Sequence, residues 1–309
     1  MEVLVRLLAP GLRVDARDGH SVGFRTVAFE DPAGRSVDGL EVKARATVRW
    51  RSRRTAGDRA GVLALGILDL VLRWPTSSTD VTVWLNGQQV RSGQDITNWQ
   101  AYEWVSVLSW GALPNATASI TPDAVGRFET LWAAAVTSSG RTDELLGPLA
   151  LASSAASASH PYDRVQSLWS ALELLYPRGG DLKRIDLITM GSPSFADDEG
   201  GRSPDLCGRL LRYRARMASD PWLYEKVRSA LSRKPLTRLD RVRSATVVCY
   251  AVRCKIVHGE WARSRNGHRT EARAAEQWLW QLLEREVEVR LMGARLNPIV
   301  AMGRASFTV

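Results

Sequence analysis

The chain has 309 residues, 45% of them hydrophobic, with a formal net charge of +9 and three cysteines. That length suits one large or two ordinary domains with a sizeable core, and Cys207, Cys249 and Cys254 form no CxxC pair or Cys/His cluster, which argues against a disulfide framework and a zinc site. The longest apolar run, residues 61–74, is too short for a bilayer and contains Asp69 and Arg73. The opening Met1-Glu2-Val3-Leu4-Val5-Arg6 has no basic region leading into an apolar stretch, so a cytoplasmic chain without a membrane partner is expected.

Residues 1 to about 115 read as β-rich, with short Val, Ala and Trp segments broken by Gly, Pro and Asp turns. Strands are expected over 3–8, 23–29, 40–51, 80–85 and 103–109. Asn86-Gly87 between 81–85 and 88–90 is a strong hairpin signal, because both residues accept the positive φ of a type I′ turn. Residues 61–72 fit either a buried helix or two strands. Seven of the twelve tryptophans (50, 74, 84, 99, 104, 110 and 132) precede residue 140 and fit an aromatic core better than a base-stacking surface.

At Thr121-Pro122-Asp123 the periodicity turns helical, with Thr121 as cap and Pro122 in the first turn. Further helices are expected over 143–158, 160–176, 204–217, 221–231, 237–258 and 270–291. The break between Tyr176 and Pro204, rich in Gly, Ser, Pro and Asp, reads as one long loop, and its Asp197-Asp198-Glu199 run as a solvated acidic stretch. The reading is therefore an α+β chain: a β-rich N-terminal domain over 1–118, an all-α bundle over 119–293 and a tail over 294–309.

Thirty-seven of the forty-two basic residues are Arg, the better group for bidentate phosphate contacts. Two clusters stand out: Arg209, Arg212, Arg214 and Arg216, and Arg263, Arg265, Arg269 and Arg273. Each is either a solvated helix face or the rim of a nucleic-acid groove. Three arginines precede a histidine by a short spacing: Arg13 to His20, Arg253 to His258 and Arg263 to His268. The first and third straddle polar turns. The second closes a helix, capped by Thr237 or Asp240, that is apolar on nearly every face from Val242 to Val257 and stops at Gly259. A permanently charged Arg253 among Cys249, Ile256 and Val257 calls for a carboxylate, a phosphate or a partner chain, and His258 follows about 7.5 Å along the axis.

Two segments together resemble the HEPN superfamily, and its Apea-like branch most closely. Asp163-Arg-Val-Gln-Ser-Leu-Trp-Ser-Ala-Leu-Glu173-Leu-Leu-Tyr176 is similar to that superfamily's earlier helix, and Arg253-Cys-Lys-Ile-Val-His258-Gly259 to the end of its later one. The likeness covers roughly residues 120–291, and Cys254 stands where many members carry Asn, Asp or His. It implies a HEPN-like bundle and metal-independent RNA cleavage, needing no cofactor, in which the RNA 2′-hydroxyl attacks the adjacent phosphate. The roles it implies are His258 for proton transfer, Arg253 for the phosphate, and Glu173 to orient either of them. Lys255, Arg209, Arg212, Arg263 and Arg265 are candidate RNA or phosphate contacts, and no metal site is expected. One chain offers one well-placed histidine, whereas the step needs an acid and a base, so a homodimer with a composite site is expected. The same likeness implies a toxin or anti-phage defence setting, with a protein trigger or antitoxin as a further partner. The alternative is a catalytically silent module that dimerises and binds RNA or a protein.

Overall fold

The computed structural model describes residues 1–15, 17–19, 21–30, 36–49, 53–72, 80–91, 118–137, 142–158, 160–177, 180–191, 204–261 and 268–292. The chain is α+β and divides into two compact units, Met1–Ser159 and His160–Val309.

Unit 1 is built on an antiparallel sheet. Its strands are β1 (Glu2–Pro10), β3 (Arg17–Asp18), β4 (Val22–Glu30), β5 (Ser36–Thr47), β6 (Asp80–Leu85) and β7 (Gln88–Arg91), in the order β3-β4-β5-β1-β6-β7. A short parallel pair, β2 (Leu12–Arg13) with β8 (Ala118–Ser119), forms a second sheet, with Arg13 bonded to Asp38 of β5. β6 and β7 are joined through Asn86 and Gly87, with φ of 48° and 79°, as the Asn-Gly signal required. Period-2 alternation sets the faces: Val3, Val5, Leu7 and Ala9 are buried, and Leu40, Val42 and Ala44 join them from β5.

The open segment is a helix. α1 (Arg53–Leu72) is buried throughout 61–70 because it packs on β1 and β6 and is covered by α2 (Pro122–Thr137) and α3 (Asp143–Ser157). A side chain enclosed on every face carries no stripe, so hydrophobic periodicity could not distinguish helix from strand. Gly66 allows the approach of α3: a Cβ there would lie 2.6 Å from Leu149 Cβ.

The division between the units falls at 159/160 rather than at the expected 118/119. Periodicity does change at Thr121, whose hydroxyl caps α2 by accepting from Ala124 N–H at 3.3 Å. A change of element type is not a change of core, however. Phe128 of α2 meets Phe24 of β4 edge-on at 5.5 Å, and the Trp132 indole donates to the Arg45 carbonyl at 3.2 Å. The expected strand 103–109, the Asp197-Asp198-Glu199 run and the tail 294–309 lie outside the described residues.

Among its described residues, unit 2 is all helix: α4 (Pro161–Leu175), α5 (Asp181–Gly191), α6 (Pro204–Ala218), α7 (Glu225–Ser232), α8 (Arg238–Val257) and α9 (Arg269–Met292). α8 is the central element, packed by the other five, and is buried at nearly every position from Val242 to Lys255. α5 corrects the expectation of one long loop between Tyr176 and Pro204. The buried Ile185 and Ile188 anchor it, with Asp186 bonded to Arg243 and Asp181 to Tyr250 of α8. Those partners lie more than fifty positions away, so the local sequence carried little helical signal. α7 is also shorter than the expected 221–231, because 221–224 form a turn.

Candidate functional site

The site is built on the C-terminal end of α8, whose start is held by a capping box. Thr237 Oγ1 accepts from Asp240 N–H at 3.0 Å, and the Asp240 carboxylate accepts from Thr237 N–H at 2.9 Å. These backbone and side-chain bonds from Thr237 hold the Asp240 carboxyl below its ordinary range. At the other end the left-handed Gly259, φ 74°, donates its N–H to the Ile256 carbonyl at 3.1 Å, and His258 is the last residue before that reversal. The helix thus runs from a buried core into solvent within one turn.

Four side chains near that end, Arg253, Cys254, Lys255 and His258, meet different environments. Arg253 is half-buried and, among the described residues, has no carboxylate partner; its guanidinium engages the Cys254 thiol. Cys254 is buried, and burial raises its pKa despite the opposing contributions of the Tyr250 hydroxyl and Arg253, so it stays a thiol at neutral pH. Lys255 is only 2% exposed, and its ammonium is held by both Asp220 and Glu260. His258 is exposed, with Nε2 3.1 Å from the Tyr224 hydroxyl and the two rings edge to face at 5.8 Å.

Lys255 therefore corrects its expected role as a phosphate contact. Its four-carbon stem enters the core and its charge is already met by two carboxylates, so it is not presented to a ligand. What it does is hold the 220–224 turn. Asp220 accepts from Lys255 and, at 2.8 Å, from Trp222 N–H, while Arg228 donates to the carbonyls of Pro221 and Leu223 at 2.7 and 3.2 Å. Burial would raise the Asp220 pKa, but the Lys255 and Trp222 bonds outweigh it and keep the carboxyl below its ordinary range. The turn so fixed carries Trp222, 75% exposed, and Tyr224, 55% exposed.

Glu173 does not reach Arg253 or His258. Its carboxylate accepts from Trp169 Nε1 at 2.9 Å and from Arg184 at 3.4 Å, and Arg184 in turn bonds Asp181 and the Tyr176 carbonyl at 2.8 Å. Its only route towards the site is indirect. Trp169 lies against Tyr250 at 5.2 Å, and the Tyr250 hydroxyl engages Asp181 and Cys254. α5, absent from the sequence reading, supplies the Arg184 that claims Glu173.

Of the expected basic contacts, Arg209 is directed to the Gln277 amide oxygen at 3.3 Å, and Arg212 is exposed on α6. Arg216 is occupied by Glu271 at 2.6 Å and lies 3.1 Å from His268 Nδ1. Arg263, Arg265 and His20 lie outside the described residues. Along the sequence, residues 204–261 hold thirteen Arg and Lys against five Asp and Glu, of which Arg216, Arg243 and Lys255 are ion-paired, in a chain whose net charge is +9. Sequence reasoning missed Trp222 and Tyr224, although Pro221-Trp-Leu-Tyr224 within that basic segment was the available signal. Among the described residues no group of three His, Cys, Asp or Glu could hold a metal ion, and no helix is long and apolar enough to cross a membrane.

Comparison of the chain with protein-family models, with curated proteins and with solved structures finds no match.

Proposed function

We propose that unit 2 is a HEPN-type RNA-cleaving module in which Arg253 binds the scissile phosphate and His258 moves a proton. The observation that carries this reading is the contrast at the end of α8. A half-buried guanidinium without a carboxylate partner among the described residues stands one and a half turns before an exposed imidazole, in the most basic segment of the chain. A guanidinium so placed suits the phosphoryl oxygens, whose charge it would meet bidentately. The imidazole is at hydrogen-bonding reach of solvent and of Tyr224, as a proton-transfer group must be.

Transesterification needs a base at the 2′-oxygen and an acid at the leaving 5′-oxygen. A two-fold pair of chains would supply two His258 and two Arg253 to one groove, so the active form on this reading is a homodimer with a composite site. Glu173 and Lys255 then have structural roles, and a toxin or defence setting with a protein trigger remains part of the proposal.

A second reading is favoured by one observation. His258 is the C-cap of α8 and is engaged by Tyr224, which would suffice to keep a histidine there in a module that only binds RNA or a partner. Induced expression of wild type beside Arg253→Ala and His258→Ala, with growth and total-RNA integrity followed in the same cultures, separates the two. Fragmented RNA and arrested growth in wild type only support cleavage. Equal, harmless expression of all three, with salt-sensitive RNA binding by the purified proteins, supports the binding module.

A further inference from the structure

We infer that the 220–224 turn is a nucleobase platform, with Trp222 stacking an unpaired base of the RNA beside His258. This rests on the reading of Arg253 and His258 as an RNA site and adds to it a base-contacting residue outside that pair. Three observations carry it. The first is exposure: Trp222 is 75% exposed, and a large aromatic ring gains nothing from folding in that position. The second is rigidity. The turn is fastened from beneath by the buried Lys255 ammonium on Asp220 and laterally by Arg228 on two of its carbonyls, so the ring is carried on a fixed backbone. A platform held in advance loses little freedom when a base lands on it. The third is location. Tyr224, two residues on, contacts the His258 ring directly, so Trp222 shares a short turn with a residue that touches the proposed site, in the segment that holds thirteen basic residues against five acidic ones.

Those features fit an RNA strand better than a second protein chain. Positive charge with isolated aromatics is the pattern of single-strand binders, where cations follow the phosphates and rings take the bases. Duplex RNA keeps its bases stacked on each other and offers no free face to Trp222. Tyr224 is a positioning residue on this account: its hydroxyl orients the imidazole.

The test uses the full chain as wild type, Trp222→Ala and Trp222→Phe, titrated with labelled oligoadenylate and with the matched oligoadenylate–oligouridylate duplex. Thermal melting controls for folding, and sedimentation reports the assembly state. The expected result is tighter binding of the single strand than of the duplex by wild type. Trp222→Ala should lose about ten-fold in single-strand affinity, with duplex binding unchanged, and Trp222→Phe should recover most of the loss. Equal single-strand affinity for wild type and Trp222→Ala would overturn the platform while leaving the Arg253 and His258 reading intact. A shift of Trp222→Ala from dimer to monomer would assign the ring to a second copy of the chain and likewise overturn it. If wild type binds neither RNA, the underlying RNA reading fails, and the platform falls with it.

Discussion

Each unit holds a buried charge between partners of the opposite sign, and the two do it differently. In unit 1, Glu41 is 1% exposed on β5 and takes Arg6 of β1, Arg25 of β4 and its own-strand neighbour Lys43. In unit 2, Lys255 is 2% exposed on α8 and takes Asp220 and Glu260 from irregular segments on either side of the helix end. The Glu41 partners sit on strands whose places the ladder already fixes, Arg25 opposite Glu41 and Arg6 opposite Lys43. That ionic cluster adds to an arrangement the backbone bonds define. The Lys255 partners have no ladder to place them, so the ion pairs themselves hold the turn. A buried charge in a sheet decorates a frame, whereas one at a helix end can build the frame next to a site.

Removing the two central charges should expose that difference. Lys255→Met leaves Asp220 and Glu260 without their common cation, and a loss of about 3 kcal/mol in unfolding free energy is expected by denaturant titration. The 220–224 turn should loosen with it, seen as faster hydrogen exchange at Trp222 and Leu223. A variant with unchanged stability and exchange would remove the ionic anchor from the account.

Glu41→Gln should cost less, about 1–2 kcal/mol, because its partners are 39–54% exposed and regain water when the carboxylate goes. Its strand amides should exchange as in wild type. If instead the β4–β5 ladder frays, the ions hold that sheet together more than its register does.

Lowering the pH is the gentlest probe. Burial would raise the Glu41 pKa, but the bonds from Arg25 and Arg6 outweigh it, and the Glu41 and Asp220 carboxyls both lie below their ordinary values when folded. A depressed folded pKa contributes stability that is complete above the unfolded value, about 4, and is lost as the pH falls through the folded one. The melting temperature should therefore be flat from neutrality to about pH 5 and fall below about pH 4. In Lys255→Met the fall should be shallower, since Asp220 no longer has its depressing partner.

The same contrast explains how much of the molecule the sequence disclosed. The hairpin at Asn86-Gly87, the capping of α2 by Thr121, and the span of α8 with its Thr237 cap and Gly259 stop were readable because each depends on residues within four positions of one another. Arg253 and His258 stand out in the sequence for the same reason. Lys255 was misread as a surface cation because nothing nearby shows that its stem turns inward. Glu173 was assigned to the site because Arg184, its actual ion-pair partner, sits on a helix that local composition concealed. Trp222 and Tyr224 were absorbed into an expected helix, although the pairing of Lys255 with Asp220 leaves them on a turn.

Composition, periodicity and capping were enough to specify an α+β chain with strands first and helices after, and an arginine and a histidine at the end of a buried helix. These follow from short-range sterics and from the alternation of apolar residues, which the order of the chain records directly. Where the units divide, that α5 exists, that Lys255 is buried and that an aromatic turn faces His258 were settled by packing. Each depends on groups far apart in the chain meeting in three dimensions, where burial and charge pairing are decided by neighbours that local sequence does not name.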